Sequence, residues 1–72
     1  MRPHRNFIKE AAAEAASLIT EGYIVRVHHY DEKHAQAYMT LAHSRNGNII
    51  HVNATKSGYV VSKNGAIIKR VI

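Results

Sequence analysis

The spacing of the hydrophobic residues changes at Gly22, and this change limits the folds open to the chain. Before Gly22 the apolar positions follow a helical spacing, with one stripe through Ile8, Ala12, Ala15 and Ile19. Asn6 is a favourable helix N-cap residue, and Gly22 is a favourable residue to follow a helix end. We therefore expect a single helix over residues 6–21, with an exposed stripe that contains Glu10, Glu14, Ser17 and Glu21.

After Gly22 the hydrophobic period becomes two, and β-branched residues become frequent. The pattern predicts five strands over residues 23–30, 37–44, 48–55, 59–63 and 66–72. Asn46-Gly47 and Asn64-Gly65 are strong signals for hairpin turns. Short connections favour antiparallel pairing of consecutive strands. The expected fold is therefore α+β: one N-terminal α-helix packed on a five-stranded antiparallel β-meander, in a single small domain of residues 1–72 with a basic tail over residues 1–5.

Turn lengths also predict the register of the strands. They place Leu41 opposite Val52, and Val27 opposite Met39. One face then collects a core of Tyr23, Val25, Val27, Met39, Leu41, Ile50, Val52, Ala54, Tyr59, Val61 and Ile68, which the helix covers. The opposite, uncovered face collects Ile24, Arg26, His28, Tyr30, Tyr38, Thr40, Ala42, Ile49, His51, Asn53, Val60, Ser62, Ile67 and Lys69.

Composition and charge restrict the class of protein. The chain has 72 residues, no cysteine and a formal net charge of +5. No acidic residue follows Glu32, which suggests an anionic partner for the basic part of the chain. The absence of cysteine and of a long apolar run favours a cytoplasmic protein with no signal peptide and no contact with a membrane.

The six histidines suggest metal or acid–base chemistry, but their spacing argues against both. In a regular strand His28 and His29 point to opposite faces, and no HExxH or HxH spacing occurs. His28 and His51 are predicted to lie two strands apart, too far for an imidazole pair that acts as acid and base. We therefore expect no metal, no cofactor and no enzymatic activity.

Two kinds of binding remain open. The first is a protein partner, including a second copy of the chain as a homodimer, bound through the open sheet face or through the last strand as an exposed edge. A chain of this size is typical of an inhibitor or adaptor of a larger machine, such as phage and other mobile elements encode. The second is nucleic acid, bound by aromatic and cationic side chains. The candidate binding residues are Arg26, His28, Tyr38, Thr40, His51, Asn53, Lys63, Lys69 and Arg70.

Overall fold

A computed structural model describes residues 5–72; all but Arg5 of the predicted basic tail lies outside this range. Helix α1 spans Phe7–Thr20. The strands that follow are β1 (Tyr23–Asp31), β2 (Gln36–His43), β3 (Ile49–Thr55), β4 (Gly58–Lys63) and β5 (Ala66–Val71). They form one open antiparallel sheet in the order β1-β2-β3-β4-β5. The prediction of one helix on a five-stranded meander is confirmed.

Helix α1 begins where the sequence predicts but is rotated about its axis relative to the predicted stripe. The Asn6 side chain accepts a hydrogen bond of 3.0 Å from the backbone N–H of Lys9. Ala11 and Ala15 are buried, and they let the helix lie close to the sheet, mainly over β3. Ile19 and Ala12 were expected on the buried stripe, but Ile19 is 50% exposed and Ala12 is also exposed. The helix therefore leaves an apolar flank in contact with solvent.

The register of β2 and β3 differs from the prediction by two residues. Leu41 lies opposite Ile50 rather than Val52. The backbone N–H of His43 donates to the carbonyl of Asn48 over 2.9 Å, so the hairpin closes around the four residues 44–47 instead of a two-residue turn. A shift of two residues keeps each side chain on its face of the sheet, so the predicted faces of β2 and β3 stand.

Strand β1 contains a β-bulge that the sequence analysis did not predict. Val25 lies opposite Leu41, but Val27 lies opposite Thr40, which leaves Arg26 as an extra residue in β1. An extra residue reverses the alternation of every side chain that follows it. The predicted pairing of Val27 with Met39 is therefore wrong. Val27 leaves the core and is 47% exposed, whereas His28 takes its place opposite Met39 on the helix side.

A second β-bulge lies in β5. Val61 lies opposite Lys69 rather than Ile68, although Ser62 still lies opposite Ile67. Ile68 was expected in the core and is instead 56% exposed. Lys69 was expected on the open face and instead lies on the helix side, where its Nζ forms an ion pair of 3.1 Å with Glu14. Both edge strands of the sheet are thus bulged.

The core lies between α1 and the middle of the sheet. Leu41 and Val61 are its most completely buried large side chains. The buried residues are Ala11, Ala15, Tyr23, Leu41, Ile50, Val52, Ala54, Tyr59 and Val61. All the buried residues of the sheet had been placed on the predicted core face, so the two bulges change the margins of the core and leave its centre as expected.

Candidate binding surfaces

The open face of the sheet is the surface that α1 does not cover, and its side chains form rows across the strands. One row runs through Val27, Thr40, His51, Ser62 and Ile67. The next runs through His29, Tyr38, Asn53, Val60 and Arg70. Four of the candidate residues (Tyr38, Thr40, His51 and Asn53) are therefore neighbours, but the two-residue shift between β2 and β3 places Thr40 opposite His51, whereas the turn lengths had placed it opposite Asn53. The predicted rows, which had placed Arg26 beside Thr40 and His28 beside Tyr38, are wrong because of the bulge in β1.

Tyr38, Thr40 and His51 form a hydrogen-bonded cluster at the centre of this face. The Thr40 hydroxyl donates to the Tyr38 hydroxyl over 2.8 Å. The Tyr38 oxygen lies 3.0 Å from Nδ1 of His51, and Thr40 Oγ1 lies 3.1 Å from the same nitrogen. Tyr38 accepts from Thr40, so its own proton is free to reach Nδ1, an arrangement that requires the proton of a neutral His51 ring to lie on Nε2. The cluster holds the two rings nearly parallel, 18° apart, with centroids separated by 6.0 Å.

The structure corrects the predicted positions of one histidine and one lysine on the open face. His28 lies on the helix side, and His29 takes the open-face position opposite Tyr38. Lys69 lies on the helix side, and Arg70, opposite Val60, is the β5 cation on the open face. Neither replacement was visible in the sequence, since a strictly alternating pattern gives no sign of an inserted residue.

The remaining candidate cations lie away from the centre of the open face. Arg26 is exposed at the bulge of β1, on the free edge of the sheet. Lys63 lies opposite Ile50 and Ala66, which places it on the helix side near the end of β4. Within residues 5–72, Arg26, Lys63 and Arg70 form no ion pair with a side chain, whereas Arg5 and Lys69 pair with Glu10 and Glu14.

Large apolar side chains surround the polar cluster on the open face and are poorly covered. Ile24 is 51% exposed, Ile49 is 43% exposed and Ile67 is 55% exposed. Val27 joins them at 47% because of the bulge. Relative to the prediction, the open face therefore gains Val27 and loses Tyr30, and its central rows contain one cation, Arg70, because Arg26 lies at the edge. The exposed apolar side chains lie on either side of Thr40 and His51, and exposed apolar groups around a polar centre are common at protein contact sites.

The connection between β1 and β2 explains the cluster of histidines and acids in the sequence. Nδ1 of His34 lies 2.6 Å from Oδ2 of Asp31, and the His34 backbone N–H donates to Oδ1 over 3.2 Å. The side-chain hydrogen bond from His34, supported by the backbone one, lowers the pKa of Asp31. Among the described residues no group of three or more His, Asp and Glu side chains is arranged to hold a metal ion.

A groove between α1 and the β1–β2 side of the sheet is a second surface, which the sequence reasoning missed. It has a volume of about 310 Å³ and an almost wholly apolar lining. Ile8, Ala11 and Ala12 of the helix form one wall, and His28 and Tyr30 of β1 form the other. Only the bulge turns His28 and Tyr30 toward this side, so the sequence pattern gave no signal of the groove.

Comparison with known proteins adds no relative from which a role could be transferred. No protein family, no curated protein and no solved structure matches this chain. Within residues 5–72 no helix has both the length and the apolar character needed to cross a bilayer. Functional inference therefore depends on the two surfaces themselves.

Proposed function

We propose that this protein is a small non-enzymatic binding module that attaches to another protein through the open face of its sheet, as an inhibitor or adaptor of a larger assembly. The observation that carries the proposal is the exposure of Ile24, Val27, Ile49 and Ile67, each between 43% and 55%, around the Tyr38–Thr40–His51 cluster. Burial of such side chains by a partner removes apolar surface from water, at about 25 cal/mol per Å².

The polar cluster supplies what an apolar surface lacks, which is directional recognition. The hydrogen bonds among Tyr38, Thr40 and His51 fix the Tyr38 ring before a partner arrives, so little side-chain entropy is lost on binding. Tyr and Arg are the residue types that most often dominate binding energy. Tyr38, together with Arg70 in its row and Arg26 at the nearby edge, is therefore the expected centre of the contact.

The face is a better candidate than an edge strand. β5 had been considered for strand addition, but its bulge at Ile68 interrupts the regular row of backbone donors and acceptors that a new strand requires. The bulge at Arg26 has the same effect on β1. Both features favour recognition by side chains of the open face.

The experiment is site-specific photocrosslinking in cells, followed by measurement of affinity with the purified partner. A photoreactive residue at Val27 should capture a partner that the same residue at Ser17, on the exposed side of α1, does not. Tyr38→Ala and Arg26→Ala should each weaken binding by roughly tenfold or more, with an intact fold, while Ser17→Ala binds as wild type. Equal affinity of all three variants would contradict the proposal.

Nucleic acid is the second candidate, and the cations Arg26, Lys63 and Arg70, which form no ion pair within the described residues, favour it. Its mark is a steep loss of affinity with salt, because each neutralised phosphate releases counterions. In a titration with mixed-sequence DNA and RNA, Lys63→Gln and Arg70→Gln should weaken binding and flatten the salt dependence. Lys69 is a poor choice for this test, since it pairs with Glu14. Absence of binding at low salt would exclude this alternative.

A further inference from the structure

Helix α1 is apolar on a flank that the sheet does not cover. Ile8 and Ala12 lie one turn apart, and Ile19 lies on the same side of the helix about two turns further along. Ala12 is exposed, and Ile19 is 50% exposed. The opposite flank is different, because Glu14 pairs there with Lys69 of β5. An apolar stripe thus faces solvent along the β1 side of the helix.

Strand β1 provides the facing wall of the groove. The bulge at Arg26 directs His28 and Tyr30 toward the helix side, and Tyr30 is 51% exposed there. Further along the same face, Val25 is 38% exposed. The groove between the two walls has a floor of Ala37, Met39, Val52 and Ala54 and a volume of about 310 Å³. This is room for large apolar side chains that a partner inserts.

The charges around the groove indicate the sign of the charge on that partner. The lining of the groove contains no acidic residue, and its one residue that can carry a positive charge is His28. Lys9 precedes Ala12 by three residues and is exposed on the same flank of the helix, and Arg26 is exposed at the bulge of the facing strand. The helix acids Glu10 and Glu14 are paired with Arg5 and Lys69. A second copy of the chain would bring like charges together, whereas an acidic partner would complement them.

We propose that this groove binds an acidic amphipathic helix of another protein. The apolar residues of that helix, spaced at i and i+4, enter the groove between Ile8, Ala12 and Tyr30, as in other helix-in-groove contacts. Its carboxylates face Lys9, His28 and Arg26. The groove shares Tyr38 with the open face, and Arg26 lies at the sheet edge between the two surfaces, so the two sites are separated by variants of residues that belong to one of them alone, such as Ala12 and Ile49.

The test uses two synthetic helices and the full chain. The first peptide carries Leu on one face and Glu on the other, and the second peptide has Lys in place of every Glu. Fluorescence anisotropy should show binding of the Glu peptide that is roughly tenfold or more tighter than that of the Lys peptide and that weakens as salt is added. Equal binding of both peptides would overturn the charge argument and with it the proposal.

Variants locate the binding. Ala12→Trp fills the groove and should lower the affinity for the Glu peptide by roughly tenfold or more. Ala13 is an exposed neighbour that does not line the groove, so Ala13→Trp should bind the peptide as the wild type does. Lys9→Glu should weaken binding of the Glu peptide without filling the groove, and the open-face change Ile49→Ser should leave that binding unaffected. Unchanged binding by Ala12→Trp and Lys9→Glu would overturn the proposal. So would a concentration-dependent dimer that Ala12→Trp abolishes, since it would assign the groove to a second copy.

Discussion

Val27 lies directly opposite Thr40, although Val25, two residues earlier, lies opposite Leu41. The single extra residue between them, Arg26, decides which side chains of β1 face the helix and which face solvent. It adds Val27 to the open face and builds one wall of the groove from His28 and Tyr30. Both candidate binding surfaces therefore depend on this one irregularity.

The register of β1 can be tested by adding a hydroxyl to a valine of nearly unchanged shape. Val27→Thr should change the free energy of unfolding by no more than about 0.5 kcal/mol, because Val27 is 47% exposed. Val52→Thr is the matched control in the core, where Val52 is 3% exposed. It should lower the free energy of unfolding by about 1–3 kcal/mol, because the new hydroxyl would be buried without water as a hydrogen-bond partner. Urea unfolding measures both. A similarly large loss of stability in both variants would show that Val27 is buried in the core and would contradict the bulge.

Removal of the bulge residue is a second test of the same register. Deletion of Arg26 joins Val25 directly to Val27 and restores regular alternation, with every other pairing of β1 retained. The deleted protein should fold and keep the NMR contacts between His28 and Met39. Deletion of His29, in the regular part of the strand, should instead reverse the facing of the residues that follow and destabilise the domain. Equal damage from both deletions would argue against a bulge at Arg26.

A double-mutant cycle can test the polar cluster on the open face. In Tyr38→Phe the Thr40 hydroxyl, 3.1 Å from Nδ1 of His51, can take over as donor, so the loss of stability should be about 1 kcal/mol or less. Tyr38→Phe combined with Thr40→Val leaves Nδ1 without a partner. The double variant should therefore lose more than the sum of the single changes, by about 0.5–1.5 kcal/mol. Simple additivity would show that the three groups act independently.

Gly58 tests a close approach between β4 and β5. A Cβ atom there would lie 2.1 Å from the backbone carbonyl oxygen of Val71, which cannot move without opening the strand pair. Gly47 also has a positive φ, of 74°, but a Cβ atom there meets no atom within 4 Å. Gly47→Ala should cost about 1–2 kcal/mol from backbone strain alone, and Gly58→Ala about 3 kcal/mol or more. Thermal unfolding of the two variants would be compared, and equal losses would contradict the close contact.

The pH dependence of the β1–β2 connection follows from Asp31. The hydrogen bond from His34 lowers the pKa of Asp31 below its ordinary value of 3.8. A carboxyl with a lowered pKa in the folded state contributes stability at pH values above its unfolded pKa, and this contribution is lost as the pH falls through the folded pKa. The contribution of Asp31 to the stability of this connection should therefore be lost in acid, below about pH 4.

NMR titration of the Asp31 carboxyl measures this effect. The midpoint should lie below 3.8 in the wild type and return toward 3.8 in His34→Ala, which removes the side-chain donor. His43→Ala is the control, because His43 bonds to backbone groups of other connections and makes no contact with Asp31. A midpoint that His34→Ala leaves unchanged would show that the ion pair has no influence in solution.

The local features of the chain were predictable from the sequence because each depends on residues close together along it. The Asn6 cap, the helix that follows it and the end near Gly22 are set by short-range hydrogen bonds and by side-chain spacing. The change to a period of two gave the strands, and the short connections gave their antiparallel order. The centre of the core, around Leu41 and Val61, followed from the same periodicity.

The margins of the fold were decided by tertiary structure, because a bulge leaves no mark in an alternating pattern of residues. Arg26 and Ile68 became extra residues in the edge strands, and this reversed the facing of His28 and Lys69. The rotation of α1 placed Ala11 and Ala15 on the sheet and left Ile19 in solvent. The sequence by itself therefore determined which elements form and in what order. Packing between those elements decided which side chains remain available to a partner, since edge strands have a neighbour on one side only and can adjust their register to the helix and sheet they join.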